Sequence, residues 1–281
     1  MNIGLVLSGG MAKGAFQIGA LKALSSFIPL EEIKHISCAS VGVLNGYAYM
    51  TGNLDKAEYE WRNICNDSSR LYISRLLKNN ILDSKAEAIC AQRDELKAPF
   101  YSALFDINTK NIVYKDLTKV EKNQLPQYLK ACIALPMYNK SVKIDGAAFF
   151  DGAIIDNIPV YPLMQKKLDY LICIYFDDIC YKFENTNFDN KIIKITFPSS
   201  SVLKQSMVLK KESIENMIDV GYEKTTEILS KIFANGYKDT EFIYEAIQKT
   251  QTENKNLRIT GDVFVTNLNK ITQQLAKRKI L

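Results

Sequence analysis

Ser40 is the residue of this sequence best placed for covalent chemistry. It stands in Cys38-Ala39-Ser40-Val41-Gly42, between a short apolar run and a longer one. A serine at a strand-to-helix corner with small neighbours has the form of a nucleophile elbow, G-x-S-x-G, here with Cys38 at the first glycine. Such a corner strains the serine backbone and brings strand and helix close together, which Ala39 and Gly42 permit. The competing reading of the same position is a helix N-cap. Upstream lies Ser8-Gly9-Gly10-Met11-Ala12-Lys13-Gly14, a glycine-rich stretch opening a helix. Its N–H groups, aided by the helix dipole, can face an anion. A phosphate cradle, an oxyanion hole and a plain tight turn all fit. The P-loop pattern fails because Lys13 precedes Gly14, and the dinucleotide pattern fails because Met11 takes the middle glycine's place.

Downstream, Asp151-Gly152-Ala153 follows Phe149-Phe150 and leads into Ile154-Ile155-Asp156-Asn157-Ile158-Pro159. The same triplet occurs at Asp145-Gly146-Ala147. There it falls between two short β-prone runs, which is the signature of a hairpin turn. Only one of the two aspartates is therefore expected to be functional.

The sequence holds one histidine, His35. A histidine-based zinc site or a multi-histidine relay is thereby excluded. A serine nucleophile needs a base at ~2.6–3.2 Å. His35 lies five residues before Ser40 on the same strand, so at ~3.3 Å per residue it is ~16 Å away. A Ser-His-Asp triad cannot be assembled. If Ser40 is a nucleophile, its base is a carboxylate, a lysine or a water.

These side chains need elements to hold them. Ile3–Leu7 reads as a buried strand, Ala15–Leu24 as a helix, Ile33–Cys38 as a strand and Val41–Met50 as a helix. Leu54 to Cys90 is polar-periodic and reads as helical. Tyr101 to Lys115 reads as a hairpin turning at 108–111, and Leu125 to Leu135 as a helix stopped by Pro136. Val142 to Phe150 reads as a second hairpin. Tyr170–Phe176 and Lys191–Phe197 are late strands, and from Ser206 the chain reads as charged amphipathic helix, with a basic tail at Lys277, Arg278 and Lys279. Strand, glycine loop, helix, strand, tight turn, helix is the order of a parallel α/β sheet.

The 281 residues can bury a sizeable core, and 47% hydrophobic with 24% charged residues is a globular composition. A net charge of +5 is too mild for a nucleic-acid binder. No run approaches ~18 apolar residues. The apolar start lacks a basic n-region, so it reads as part of the fold rather than as a signal peptide. Six cysteines without a C-x-x-C pair fit reduced thiols and a cytoplasmic setting. No calcium-loop spacing is present.

SGGMAKG, CASVG and DGAIIDNIP, in this order and spacing, resemble the patatin-like phospholipase family. VLNGYAYMTG after the elbow and ACIALPMY before the second hairpin resemble it too, and the likeness covers about residues 1–200. The resemblance implies an α/β, three-layer patatin-like fold with a mostly parallel central sheet flanked by helices. Residues 1–200 would form the catalytic core, and residues 201–281 a helical extension packed on the same domain. It further implies a Ser40–Asp151 dyad, with Gly9, Gly10 and Met11 forming an oxyanion hole. Lys13, Gly14, Cys38, Gly42, Gly152, Asn157 and Pro159 would support these motifs. Met11 and Cys38 stand where the family has glycines. No metal or other cofactor is implied. The implied partners are a phospholipid or lysophospholipid substrate and a membrane surface touched peripherally. The alternatives are an acyltransferase or thioesterase using the same dyad, a catalytically silent lipid-binding effector module, and a nucleotide-binding enzyme using SGGMAKG.

Overall fold

The computed structural model describes residues 1–65, 70–72, 81–90, 95–136, 138–177, 181–183, 186–198, 208–250 and 256–258. The chain starts with β1 (Ile3–Leu7), α1 (Gly14–Phe27), β2 (Ile33–Cys38), α2 (Val41–Met50) and α3 (Leu54–Arg62). It continues through β3 (Arg70–Tyr72), α4 (Ile81–Cys90), β4 (Phe100–Asp106), β5 (Asn111–Asp116), α5 (Leu125–Ile133), β6 (Val142–Ile144) and β7 (Ala147–Asp151). Then follow α6 (Tyr161–Met164), β8 (Tyr170–Phe176), β9 (Tyr181–Phe183), α7 (Thr186–Asp189) and β10 (Ile192–Phe197). The last described elements are β11 (Val208–Lys210), α8 (Lys211–Ile232), α9 (Thr240–Thr250) and β12 (Asn256–Arg258).

The central sheet has eight strands in the order β10-β8-β1-β2-β4-β7-β6, with β5 also paired to β4. From β10 through β4 every neighbour is parallel, whereas β5 and β7 run antiparallel to β4 and β6 antiparallel to β7. The parallel centre explains the sequence pattern. β1 and β8 are buried along their whole length, so they read as unbroken apolar runs rather than alternating ones.

Alternation is still present in space. Ile3, Leu5 and Leu7 of β1, with Tyr170, Ile172, Ile174 and Phe176 of β8, face one core that includes residues of α1, α2, α5 and α8. Val6, Leu171, Cys173 and Tyr175 face a second core closed by Ile158, Val160, Leu163, Phe183 and Phe188. Three layers result. On the first face α8 crosses α1 with the two backbones in contact: a Cβ on Gly19 would lie 1.9 Å from the Ile218 carbonyl oxygen, and one on Gly221 would lie 2.2 Å from that of Phe16.

Two expectations need correction. The stretch from Leu54 to Cys90 is not helical throughout: β3 interrupts it and pairs antiparallel with β11, Leu71 opposite Leu209. The same pairing puts a strand at Val208–Lys210, where helix was expected from Ser206 onward. Local periodicity carries no sign of a partner so distant in sequence. The tail at Lys277, Arg278 and Lys279 lies outside the described residues. Among the described residues no helix is long and apolar enough to cross a membrane.

Candidate active site

Leu7 and Cys38 are the paired last residues of two parallel strands, so the loops that follow them leave the sheet side by side. The Ala39 N–H donates to the Leu7 carbonyl at 3.1 Å, which folds the second loop back onto the first. The chain then turns sharply into α2. Ser40 takes φ 53° and ψ −133°, a conformation that costs an L-residue of order 1–3 kcal/mol. Gly42 makes the turn fit, since a Cβ there would meet the Leu7 and Ser8 carbonyl oxygens at 2.7 Å each. Ser40 occupies the N-cap position of α2, yet its side chain makes no capping hydrogen bond. Capping therefore does not account for the residue, and its hydroxyl is directed elsewhere.

The glycine-rich loop passes directly against this serine. A Cβ on Gly9 would lie 2.8 Å from the Ser40 Cβ, 3.1 Å from the Ala153 Cβ and 2.5 Å from Asn157 Oδ1. One missing methyl group thus marks the meeting point of all three sequence motifs. Asn157 grips Gly9 from both sides: its carbonyl accepts from the Gly9 N–H, and its Nδ2 donates to the Gly9 carbonyl, each at 3.2 Å. The Gly9 N–H is therefore already engaged, unlike those of Gly10 and Met11, which have no protein acceptor among the described residues. Met11 takes φ 51°, so it adopts the left-handed angle that a glycine would take freely.

Asp151 ends β7, opposite Leu104 of β4, with its N–H donating to the Ala134 carbonyl at 2.9 Å. Its side chain is fully buried. Oδ1 accepts from the Ala153 N–H at 2.9 Å, while Oδ2 has no hydrogen-bond partner of ordinary geometry. Burial pushes the carboxyl up to about 7, and the nearby Ser40 hydroxyl and the Ala153 N–H hold it from going higher. A carboxylate poised near neutrality beside a strained serine can take up and return a proton in the physiological range.

The remaining sequence candidates take supporting places. Gly14 begins α1 with its Cα against the Trp61 indole and the Val41 side chain. Gly152 lies on the β4 backbone, where a Cβ would come within 2.4 Å of the Ala103 carbonyl carbon. Lys13 is buried, with Nζ 5.4 Å from the centre of the Phe176 ring. Cys38 is buried and its thiol is pushed far up by burial, which keeps it neutral. Pro159 is buried beyond the Asn157 grip. Asp145 sits in the exposed β6–β7 turn and accepts from Gln124 Nε2 at 2.9 Å. His35 lies back along β2 opposite Gly4, away from the site.

Sequence reasoning passed over Asp156, which accepts from the Tyr114 hydroxyl at 2.7 Å and from the Ile158 N–H at 3.3 Å, tying the loop after Asp151 to β5. It also passed over Gln17 and Asn45. The available signal was two amide side chains inside otherwise apolar helical stretches. Among the described residues no group of three His, Cys, Asp or Glu side chains is arranged to hold a metal ion.

Comparison with known proteins places this geometry in context. The sequence model described as patatin-like phospholipase matches residues 5–164. A lysophospholipase NTE1 of Cryptococcus neoformans is 28% identical over 186 residues, covering 62% of this chain and 11% of that protein. An uncharacterized NTE family protein of Mycobacterium bovis, Mb1092c, is 26% identical over 185 residues, covering 62% of this chain and 48% of that protein. The chain thus spans about a tenth and about half of the lengths of these curated relatives. Among solved structures, VipD from Legionella pneumophila superposes with a TM-score of 0.51 at 12% identity, covering 98% of this chain and 74% of VipD, a likeness of fold.

Proposed function

The chain belongs to the patatin-like phospholipase family, and from that premise we propose that it hydrolyses fatty-acyl esters of phospholipids or lysophospholipids through a Ser40–Asp151 dyad. The observation that carries this reading is Asp151 Oδ2, a buried carboxylate oxygen without an ordinary hydrogen bond, beside a serine hydroxyl that no cap claims. In the first half-reaction Ser40 Oγ attacks the ester carbonyl and its proton passes to Asp151. The tetrahedral oxyanion forms against the N–H groups of Gly10 and Met11, and Gly9 positions the loop rather than donating. Collapse breaks the bond to the alcohol, which leaves with the proton from Asp151. In the second half-reaction water attacks the acyl-serine, Asp151 takes its proton, and the fatty acid departs as Ser40 recovers the proton.

The substrate class follows from the family, and it brings the protein to a lipid surface for each turnover. The test is release of free fatty acid from lysophosphatidylcholine micelles, followed by mass spectrometry. Wild type releases fatty acid, whereas Ser40→Ala releases none above background and Asp151→Asn releases it at least about 10²-fold more slowly. Undiminished release by folded Ser40→Ala would reject the reading.

A further inference from the structure

A chain of buried amide groups links the helix that carries Ser40 to both ends of the glycine loop. Asn45 lies five residues after Ser40 on α2. Its Nδ2 donates to the Gly14 carbonyl and to Gln17 Oε1, both at 2.9 Å. Gln17 Nε2 then donates to the Ser8 carbonyl at 2.8 Å. On the other side the Trp61 indole N–H donates to Asn45 Oδ1 at 2.9 Å. Ser8 opens the loop and Gly14 is the first residue of the helix that closes it. Four hydrogen bonds therefore fix its two ends against the nucleophile's own helix, with α3 holding the assembly through Trp61.

We infer that Gln17, Asn45 and Trp61 are positioning residues that aim the Gly10 and Met11 N–H groups at the carbonyl attacked by Ser40. The inference rests on the reading of the site given above. Gln17, Asn45 and Ser8 are fully buried and Trp61 nearly so. Leucine or methionine would fill the same space without the demand for complementary partners that buried amides impose. Hydrogen bonds add what apolar packing does not, namely direction. They reach the loop through the Ser8 carbonyl at one end and the Gly14 carbonyl just past the other, so they orient the flanking peptide planes and leave the Gly10 and Met11 N–H groups open. The Gly9 grip of Asn157 restrains the loop from the opposite side. The Met11 angle is held between these two sets of restraints.

A purely structural role for the network predicts something different from a positioning role, and active-site titration separates them. Trp61→Phe removes the indole donor together with part of the ring, and Gln17→Met removes the amide's donor and acceptor at nearly equal volume. Each is reacted with an aryl-ester substrate and, separately, with a fluorophosphonate that labels the serine covalently. The expected result is one label per chain, a labelling rate and kcat per labelled site about 10-fold lower, and KM within 2-fold of wild type. The double variant is expected to lose little beyond the larger single loss, because the two residues act through one chain of bonds.

A labelled fraction that falls while the surviving sites react at the wild-type rate would overturn the proposal, as would no change at all. Trp61 is the only tryptophan, so the emission maximum of Gln17→Met reports whether the indole stays buried. Ser40→Ala serves as the separate control. Fluorophosphonate labelling or turnover that survives in that variant would refute the reading of the site, whatever the network does.

Discussion

The triplet Asp-Gly-Ala occurs at 145–147 and again at 151–153, and the two copies are used in opposite ways. In the first, Asp145 at φ 49° and Gly146 at φ 81° make the two-residue turn between β6 and β7, exposed to solvent. In the second, Asp151 has φ −55°, is fully buried, and receives the Ala153 N–H on its carboxylate. Identical residue types become a turn where the backbone goes left-handed and a poised carboxyl where it stays extended and dry. The difference lies in what covers each copy. β4 lies under the second, whereas a Cβ on Gly146 would meet nothing within 4 Å.

Matched substitutions at the two copies test this contrast. The largest expected effect is on turnover. Asp151→Asn should lower kcat by about 10²–10⁴-fold in a fatty-acid release assay, as removal of a general base does. Asp145→Asn should stay within 2-fold of wild type, because Asn-Gly suits the same turn. Equal losses from both would break the comparison.

Next come the glycines. Gly152→Ala forces a methyl group onto the β4 backbone and should cost about 3 kcal/mol in urea unfolding. Gly146→Ala pays only for its positive φ and should cost about 1 kcal/mol.

The last contrast concerns stability against pH. The folded-state pKa of Asp151 lies at about 7, well above the unfolded value of about 4. As pH rises through that window the unfolded chain ionises first, so stability is lost between about pH 4 and 7 and stays lost above it. Asp151→Asn escapes this loss. Its Tm should exceed that of wild type by a few degrees at pH 8, with the gap closing toward pH 4, while Asp145→Asn shows no such trend.

What the sequence disclosed followed the physics of each region. β1, β8 and most of β10 were legible because buried parallel strands read as apolar runs, and the β6–β7 turn because Asp-Gly has a conformational preference of its own. The distance of His35 along β2 left a carboxylate, a lysine or a water as the base for Ser40, and the resemblance of the ordered motifs pointed to Asp151 among these. Long-range facts were not legible. The β3–β11 pairing joins segments with no local strand signal, and the Asn157 grip on Gly9 needs β7 and β1 to be brought to the same edge. The capping alternative for Ser40 was open in the sequence. It was decided by a single absent hydrogen bond, which no residue pattern encodes.

The most direct test of Asp151 as the base for Ser40 is the pH profile of kcat/KM for wild type, from pH 5 to 9, on a neutral lysophospholipid. An unprotonated carboxyl with a pKa of about 7 predicts one ascending limb with its midpoint near pH 7 and a plateau above it. A profile that is flat across this range, or one that falls as pH rises through 7, would contradict the account.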